Sequence, residues 1–151
     1  MEFQAGSELA GQTAVVTGSS SGIGRAVALE LARAGAAVLV HARRSRAALE
    51  AVAAEVRSHG GEAELVLADL VDPHEQDVLL DRAWQWRSRV DIWVNNAGAD
   101  VLTGEAARWP FEQRLALLWS VDVAAAVRLS RVAGARMKSA GGGVVLNMGW
   151  D

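Results

Sequence analysis

The chain has 151 residues, 51% of them hydrophobic, a net charge of −3 at pH 7 and no cysteine. That length supports one sizeable apolar core rather than two, and a mildly acidic chain without basic runs interleaved with aromatics argues against a nucleic-acid surface. Without thiols there is no disulfide framework, no thiolate nucleophile and no sulfur-ligated metal, and no metal site is expected. No segment approaches the roughly 18 apolar residues of a membrane helix, and the opening MEFQAGSELAG lacks a basic stretch followed by an apolar one, so a cytoplasmic protein with no membrane partner is expected.

Residues 1–10 read as a flexible lead to a single domain. The apolar run 13–17 predicts a first strand, and Ile23, Val27, Leu31 and Ala34 at helical spacing predict a helix over 23–33, ended by Gly35. The β-branched run 36–41 predicts a second strand. Ser45 is a candidate cap for a helix to about residue 58, stopped by His59, Gly60 and Gly61. A third strand is expected over 62–68. Asp72 then reads as an N-cap with Pro73 at the first helical position and Glu75 completing a capping box, for a helix to about residue 87.

A fourth strand over 90–94 ends in Asn95, Asn96, Ala97 and Gly98. The apolar positions Phe111, Leu115, Leu118, Ala126, Leu129, Ala133 and Met137, in steps of mostly three and four, predict one long helix over 110–138. Gly141, Gly142 and Gly143 break it, and 144–148 predicts a fifth strand. Strands alternating with helices argue for a doubly wound parallel sheet.

The stretch TGSSSGIG at 17–24 falls between the first strand and the first helix. A loop there sets a helix N-terminus, with its unpaired N–H groups and positive dipole end, above the sheet as an anion site. Gly18, Gly22 and Gly24 permit unusual backbone angles, close approach of a pyrophosphate and tight helix-on-strand packing. The serine hydroxyls, Ser20 and Ser21 among them, can add hydrogen bonds to phosphate or ribose. A glycine loop kept for packing alone is the other reading of the same residues.

Three motifs in order resemble the short-chain dehydrogenase/reductase family: TGxxxGIG at 17–24, an Asp closing the third strand (Asp69, in LADL), and NNAG at 95–98. The likeness runs from about residue 9 to 148. It implies a Rossmann-like α/β fold, three layers αβα with strand order 3-2-1-4-5, cut short after the fifth strand. It also implies a nicotinamide dinucleotide held by Gly18, Ser20, Ser21, Gly22, Ile23 and Gly24. Asp69 would meet the adenine amino group with Leu70 beside the ring, Asn96, Ala97 and Gly98 would lie along the cofactor, and Asn95 would tie neighbouring strands. Asp69 is free for this role because Asp72 fills the helix cap; a simple strand-ending turn is the other reading of NNAG.

Members that use NAD carry an acid at the end of the second strand, and that position corresponds to Ala42, followed by Arg43 and Arg44. A carboxylate would repel a 2′-phosphate that a guanidinium pairs with, so NADP(H) is expected in preference to NAD(H), with Arg43 the main contact and Arg44 secondary.

The chemistry implied is hydride transfer between cofactor and a carbonyl or alcohol, of the 3-oxoacyl-reductase type. The family's proton relay uses a Tyr and a Lys spaced Y-x3-K after the fifth strand, with a Ser and an Asn. This chain has no tyrosine, and Lys138 is its sole lysine. The Asn position corresponds to Asp122, which loses a donor and adds a charge; it either organises a water or is a locally satisfied carboxylate. The Ser position corresponds to Trp150, whose indole is no hydroxyl, or which simply fills space at the rim. The chain is therefore expected to be the cofactor-binding part of an oxidoreductase, inactive as it stands, or else a non-catalytic dinucleotide-binding or partner module. Self-association as a dimer or tetramer through the long helix is implied, and 102–109 are expected to wall a pocket for an unknown carbonyl substrate.

Overall fold

The computed structural model describes residues 8–149. Within the expected lead, residues 1–7 lie outside the described residues, while Leu9 is anchored: its N–H donates to Ala34 O at 2.9 Å and its side chain packs on the core. Strands β1 (Thr13–Val16), β2 (Ala37–Ala42), β3 (Ala63–Leu67), β4 (Ile92–Asn95) and β5 (Val144–Asn147) form one sheet in the order β3-β2-β1-β4-β5. All four pairings are parallel. This is the doubly wound sheet expected from the sequence.

The period of two in a strand divides the core into halves. Ala14, Val16, Val38, Val40, Ile92 and Val94 face helices α1 (Gly22–Arg33) and α2 (Arg46–Ser58). Val15, Leu39 and Trp93 face α3 (Pro73–Arg87) and α5 (Ala126–Ser139) on the other side. Because β1, β2 and β4 are buried on both faces, their sequences are continuous apolar runs rather than alternating ones. Trp93 fills the second half, stacked on Trp84 with ring centroids 6.2 Å apart, and its indole N–H donates to Asn95 Oδ1 at 2.8 Å.

The helix ends follow the residues expected to make them, with three differences. Gly35, at φ +98°, closes α1 by donating to Ala32 O while Ala36 N–H reaches Leu31 O, the paired bonds of a Schellman motif. Gly60 and Gly61 end α2 in the same way through Arg57 O and Val56 O. Ser45 does occupy the N-cap of α2, yet its side chain makes no capping bond. At α3, Asp72 accepts from His74 N–H at 2.8 Å with Pro73 beside it, but Glu75 does not reach back to Asp72. Its carboxylate takes the Asp69 N–H instead, because the Asp72 N–H is already donated to Asp69 O. The third difference is Ile23, 45% exposed in the first turn of α1, whereas Val27 and Leu31 pack on the core beside the buried Ala28 and Leu29.

The long helix is not one α-helix. It comprises α4 (Phe111–Leu118), a π-helical segment (Trp119–Ala125) and α5. Ser120 Oγ donates to Ala116 O at 2.8 Å, a back-bond that competes with the helical ladder where the winding widens. Only the second half of the expected stripe is buried, at Leu129, Ala133 and Met137, preceded by Ala125. Phe111 and Leu115 are 64% and 51% exposed. The cause is placement: α5 packs on β4, β5 and α3, whereas the main neighbour of α4 is the π segment.

β5 keeps an uncovered apolar face, with Val144 and Leu146 about half exposed while Val145 packs inward. No helix among the described residues is long and apolar enough to cross a membrane.

Two leucines fourteen residues apart measure the difference between the helix halves. Leu129→Ala is expected to cost roughly 2–5 kcal/mol in urea unfolding, and Leu115→Ala to stay within about 0.5 kcal/mol; comparable losses would show that α4 is packed as tightly as α5.

Candidate functional site

The carboxyl ends of the strands open into a cleft of about 690 Å³. Its walls come from the glycine loop (Gly18, Ser20, Ser21), the β2 exit (His41 to Ser45), the β3 exit (Ala68, Asp69, Leu70) and the β4 exit with its loop (Asn96 to Asp100, Thr103 to Ala106, Trp109). Leu117 and Val121 complete it from the helix above. A crevice at the carboxyl end of a parallel sheet, beside the point where strand order reverses from β1 to β4, is where this architecture binds ligands.

The glycines have separate reasons. Gly18 has φ +64°, and a Cβ there would stand 2.7 Å from Ala97 Cα. A Cβ on Gly24 would stand 2.3 Å from both Asn96 Nδ2 and Gly18 O. Gly22 meets nothing within 4 Å and is required only by φ +55°. Two of the three glycines therefore admit the NNAG segment, which hydrogen bonds then hold: Asn96 Nδ2 donates to Thr17 O and Gly18 O, each at 3.1 Å. Thr17 Oγ1 accepts the N–H groups of Asn96 and Ala97, each at 3.0 Å.

Behind the loop, Ser19 is wholly buried; its Oγ donates to Val16 O at 2.8 Å and accepts His41 N–H at 2.9 Å. The His41 ring, 2% exposed, accepts the Gly18 N–H on Nδ1 at 3.1 Å and meets Ala68 O through Nε2 at 2.9 Å. Burial lowers its pKa from 6.5 to about 4, against the opposing pull of the Ala68 carbonyl and the Asp69 charge. The imidazole is neutral at physiological pH.

Arg43 and Arg44 stand exposed at the cleft edge directly after the buried Ala42, and form no ion pair with any described residue. Asp69 is less free than the sequence suggested, because its Oδ1 accepts Val71 N–H at 3.1 Å in a local turn. Leu70 is buried in the wall. Gly22, Ile23 and Gly24 lie in the first turn of α1, outside the cleft lining. Asn95 ties β4 to β5 as expected, donating to Asn147 Oδ1 at 2.8 Å and to Ser130 Oγ at 2.9 Å.

Asp122 sits in the π segment, partly buried, and its Oδ1 accepts Ala99 N–H at 2.8 Å. Trp150 lies outside the described residues. Of 102–109, Thr103 to Ala106 and Trp109 do line the cleft, while Leu102 is 81% exposed.

Thr17, Ser19 and His41 were not singled out from the sequence. The available signal was polarity in the wrong place, since His41 interrupts an apolar run buried at every position.

The short chain dehydrogenase family matches residues 12–149. The chain belongs to that family. It is 46% identical over 90 residues to a 3-oxoacyl-[acyl-carrier-protein] reductase of Synechocystis sp., a match covering 60% of this chain and 36% of that protein. A metagenomic short-chain oxidoreductase solved with NADP superposes with a TM-score of 0.81 at 34% identity, over 91% of this chain and 61% of the other. A 7α-hydroxysteroid dehydrogenase solved with NADH and 7-oxo glycochenodeoxycholic acid gives 0.80 at 31% identity, over 91% and 52%. The chain thus spans between about a third and three fifths of the length of these relatives.

The buried neutral His41 carries a pH signature. Below pH 6.5 an unfolded chain takes up a proton that the folded chain refuses until about pH 4, so stability falls as pH drops through that window. The expected loss is roughly 3 kcal/mol, read as the difference in denaturation free energy between the chain and His41→Gln across the same pH range. Parallel profiles would show that His41 is not held neutral.

Proposed function

We propose that this chain is the dinucleotide-binding portion of an NADP(H)-dependent oxidoreductase. Hydride would pass between cofactor and a carbonyl or alcohol substrate of the 3-oxoacyl-reductase type. The observation that carries the reading is the cradle at Gly18 and Gly24. Glycine at these positions leaves no side chain between the loop and the NNAG segment, so both reach the cleft wall beside the start of α1, whose positive dipole end favours an anion.

The residues present fit such a group. In this reading Gly18, Ser20, Ser21 and the first turn of α1 (Gly22, Ile23, Gly24) hold the pyrophosphate, and Asp69 and Leu70 flank the adenine. Asn96, Ala97 and Gly98 line the path toward the nicotinamide. Arg43 and Arg44 take the 2′-phosphate, supported by their exposure at the β2 exit without a competing carboxylate. When bound, the nicotinamide supplies or receives hydride; the residues described here bind and orient it.

The second reading, a non-catalytic dinucleotide-binding or partner module, rests on Asp122. Its carboxylate is engaged by the Ala99 amide where the family's relay has an Asn. The two readings agree on binding and part on turnover. Titration with NADPH, followed by quenching of the tryptophans, Trp109 in the cleft wall among them, is expected to saturate at lower concentration than with NADH. Arg43→Ala is expected to weaken NADPH by about tenfold, the worth of one charge-assisted contact, and leave NADH unchanged. Equal affinities for the two cofactors would remove the NADP preference, and no quenching by either would remove both readings. With no tyrosine in the chain, binding without NADPH oxidation is expected; measurable oxidation in the presence of a 3-oxoacyl thioester would overturn that.

Self-association is part of the same proposal. Phe111, Leu115, Trp119, Val123 and Val127 are all at least 39% exposed and fall at every fourth residue. In an unbroken α-helix that spacing drifts about 40° per step. The wider π turn counters the drift and holds the five on one face, suited to an antiparallel second copy. Trp119→Glu is expected to lower the molar mass by light scattering to that of a monomer, and a mass unaffected by the change would exclude this face.

A further inference from the structure

His41 reaches two parts of the cleft at once. Its ring is 2% exposed and both nitrogens are engaged. The Gly18 amide can only donate, so Nδ1 accepts; the Ala68 carbonyl can only accept, so Nε2 carries the proton. The partners therefore force one neutral tautomer.

Those partners belong to different strands. Gly18 lies in the loop after β1, and Ala68 follows β3 immediately before Asp69 and Leu70. Two bonds to Ser19 steady the arrangement from the β2 side: Ser19 N–H donates to His41 O at 2.9 Å, and His41 N–H donates to Ser19 Oγ at 2.9 Å. Along β2, period two places His41 on the same side as Leu39, which packs in the half of the core beneath α3, so the ring points toward the β3 exit rather than α1. No apolar residue at this position could satisfy both the Gly18 amide and the Ala68 carbonyl.

We propose that His41 is a positioning residue for the dinucleotide: its neutral ring locks the glycine loop to the β3 exit, presenting the phosphate cradle and the adenine wall at a set separation before the cofactor arrives. This inference rests on the reading of the cleft as a nicotinamide dinucleotide site. The physical gain is preorganisation. A loop with three glycines has much backbone freedom to lose on binding, and an amide already held by a buried acceptor has lost part of it beforehand.

The test uses the full chain at neutral pH. His41→Leu removes both ring bonds while keeping an apolar side chain of similar size; His41→Asn sets an amide oxygen near the Nδ1 position, where it can take the Gly18 N–H. Leu79→Ala, at a buried position of α3 outside the cleft lining, serves as a control of lowered stability.

His41→Leu is expected to weaken NADPH about tenfold, the worth of a buried hydrogen bond, with faster hydrogen exchange at the Gly18 amide before cofactor is added. His41→Asn, which restores the acceptor for Gly18 but not the bond to Ala68, is expected to fall between His41→Leu and the parent, about threefold weaker than the parent chain, and Leu79→Ala to bind as the parent does despite its lost stability. Nitrogen-15 spectra of the parent ring should show an unprotonated Nδ1. Should His41→Leu not fold, His41→Gln, which retains a donor for Ala68 O but no acceptor near Gly18, must show the same weakening.

Parent-like NADPH affinity in His41→Leu, a loss shared by Leu79→Ala in proportion to its stability, or a protonated Nδ1 would each overturn the inference while leaving the cleft's function intact. A parent chain that binds no dinucleotide would reject the reading of the cleft, and the inference with it.

Discussion

The structure turns on the approach of two backbone segments that leave the sheet side by side. The loop after β1 and the NNAG segment after β4 come so close that a Cβ at Gly18 or Gly24 would overlap Ala97 or Asn96. Hydrogen bonds from Asn96 Nδ2 and to Thr17 Oγ1 then fasten the two together. Neighbouring strands in a parallel sheet deliver their loops to the same edge, so this contact joins the start of the chain to its middle. It leaves the N-terminus of α1 facing open space, where unpaired amides and the helix dipole favour an anion.

Polar groups buried near that contact are satisfied locally, which is what allows them to be there. Ser19 accepts the His41 N–H on its hydroxyl and donates its own N–H to His41 O, the imidazole spans from Gly18 to Ala68, and Asn95 links Trp93, Ser130 and Asn147 across β4 and β5. A buried polar atom without a partner costs more than its hydrogen bond returns when made, so such networks are rigid. The rigidity suits a site that must hold a long, charged ligand in one pose. Asp122 extends the pattern: the amide of Ala99 has an acceptor from the π segment, tying the helix above the cleft to the strand exit below it.

The contrast between α4 and α5 shows a different constraint. Both carry apolar residues at helical spacing, yet α5 lies on the sheet and buries them while α4 leaves Phe111 and Leu115 in solvent, as the π segment leaves Trp119. Periodicity in a sequence reports that a face is apolar; it does not report what covers it. For the same reason Ile23, at the same spacing as Val27 and Leu31, stays exposed while those two pack on the core beside the buried Ala28 and Leu29.

Much of this protein was legible from residue order alone. Alternating apolar runs and helix signals determined the five parallel strands, and glycine-rich punctuation located the helix ends. The glycine loop, LADL and NNAG marked the three strand exits that line the cleft, because those features depend on local backbone demands and on short motifs. What only the tertiary structure decided was pairwise. Glu75 takes the Asp69 amide rather than that of Asp72, Asp69 spends one oxygen on Val71, the long helix widens into a π turn, and His41 bridges Gly18 and Ala68. The His41 bridge depends on distances between residues far apart in the chain, and the others on which of several neighbouring donors and acceptors pair. A hydrogen bond is settled by which partner is nearest in space, and the order of residues along the chain does not contain that.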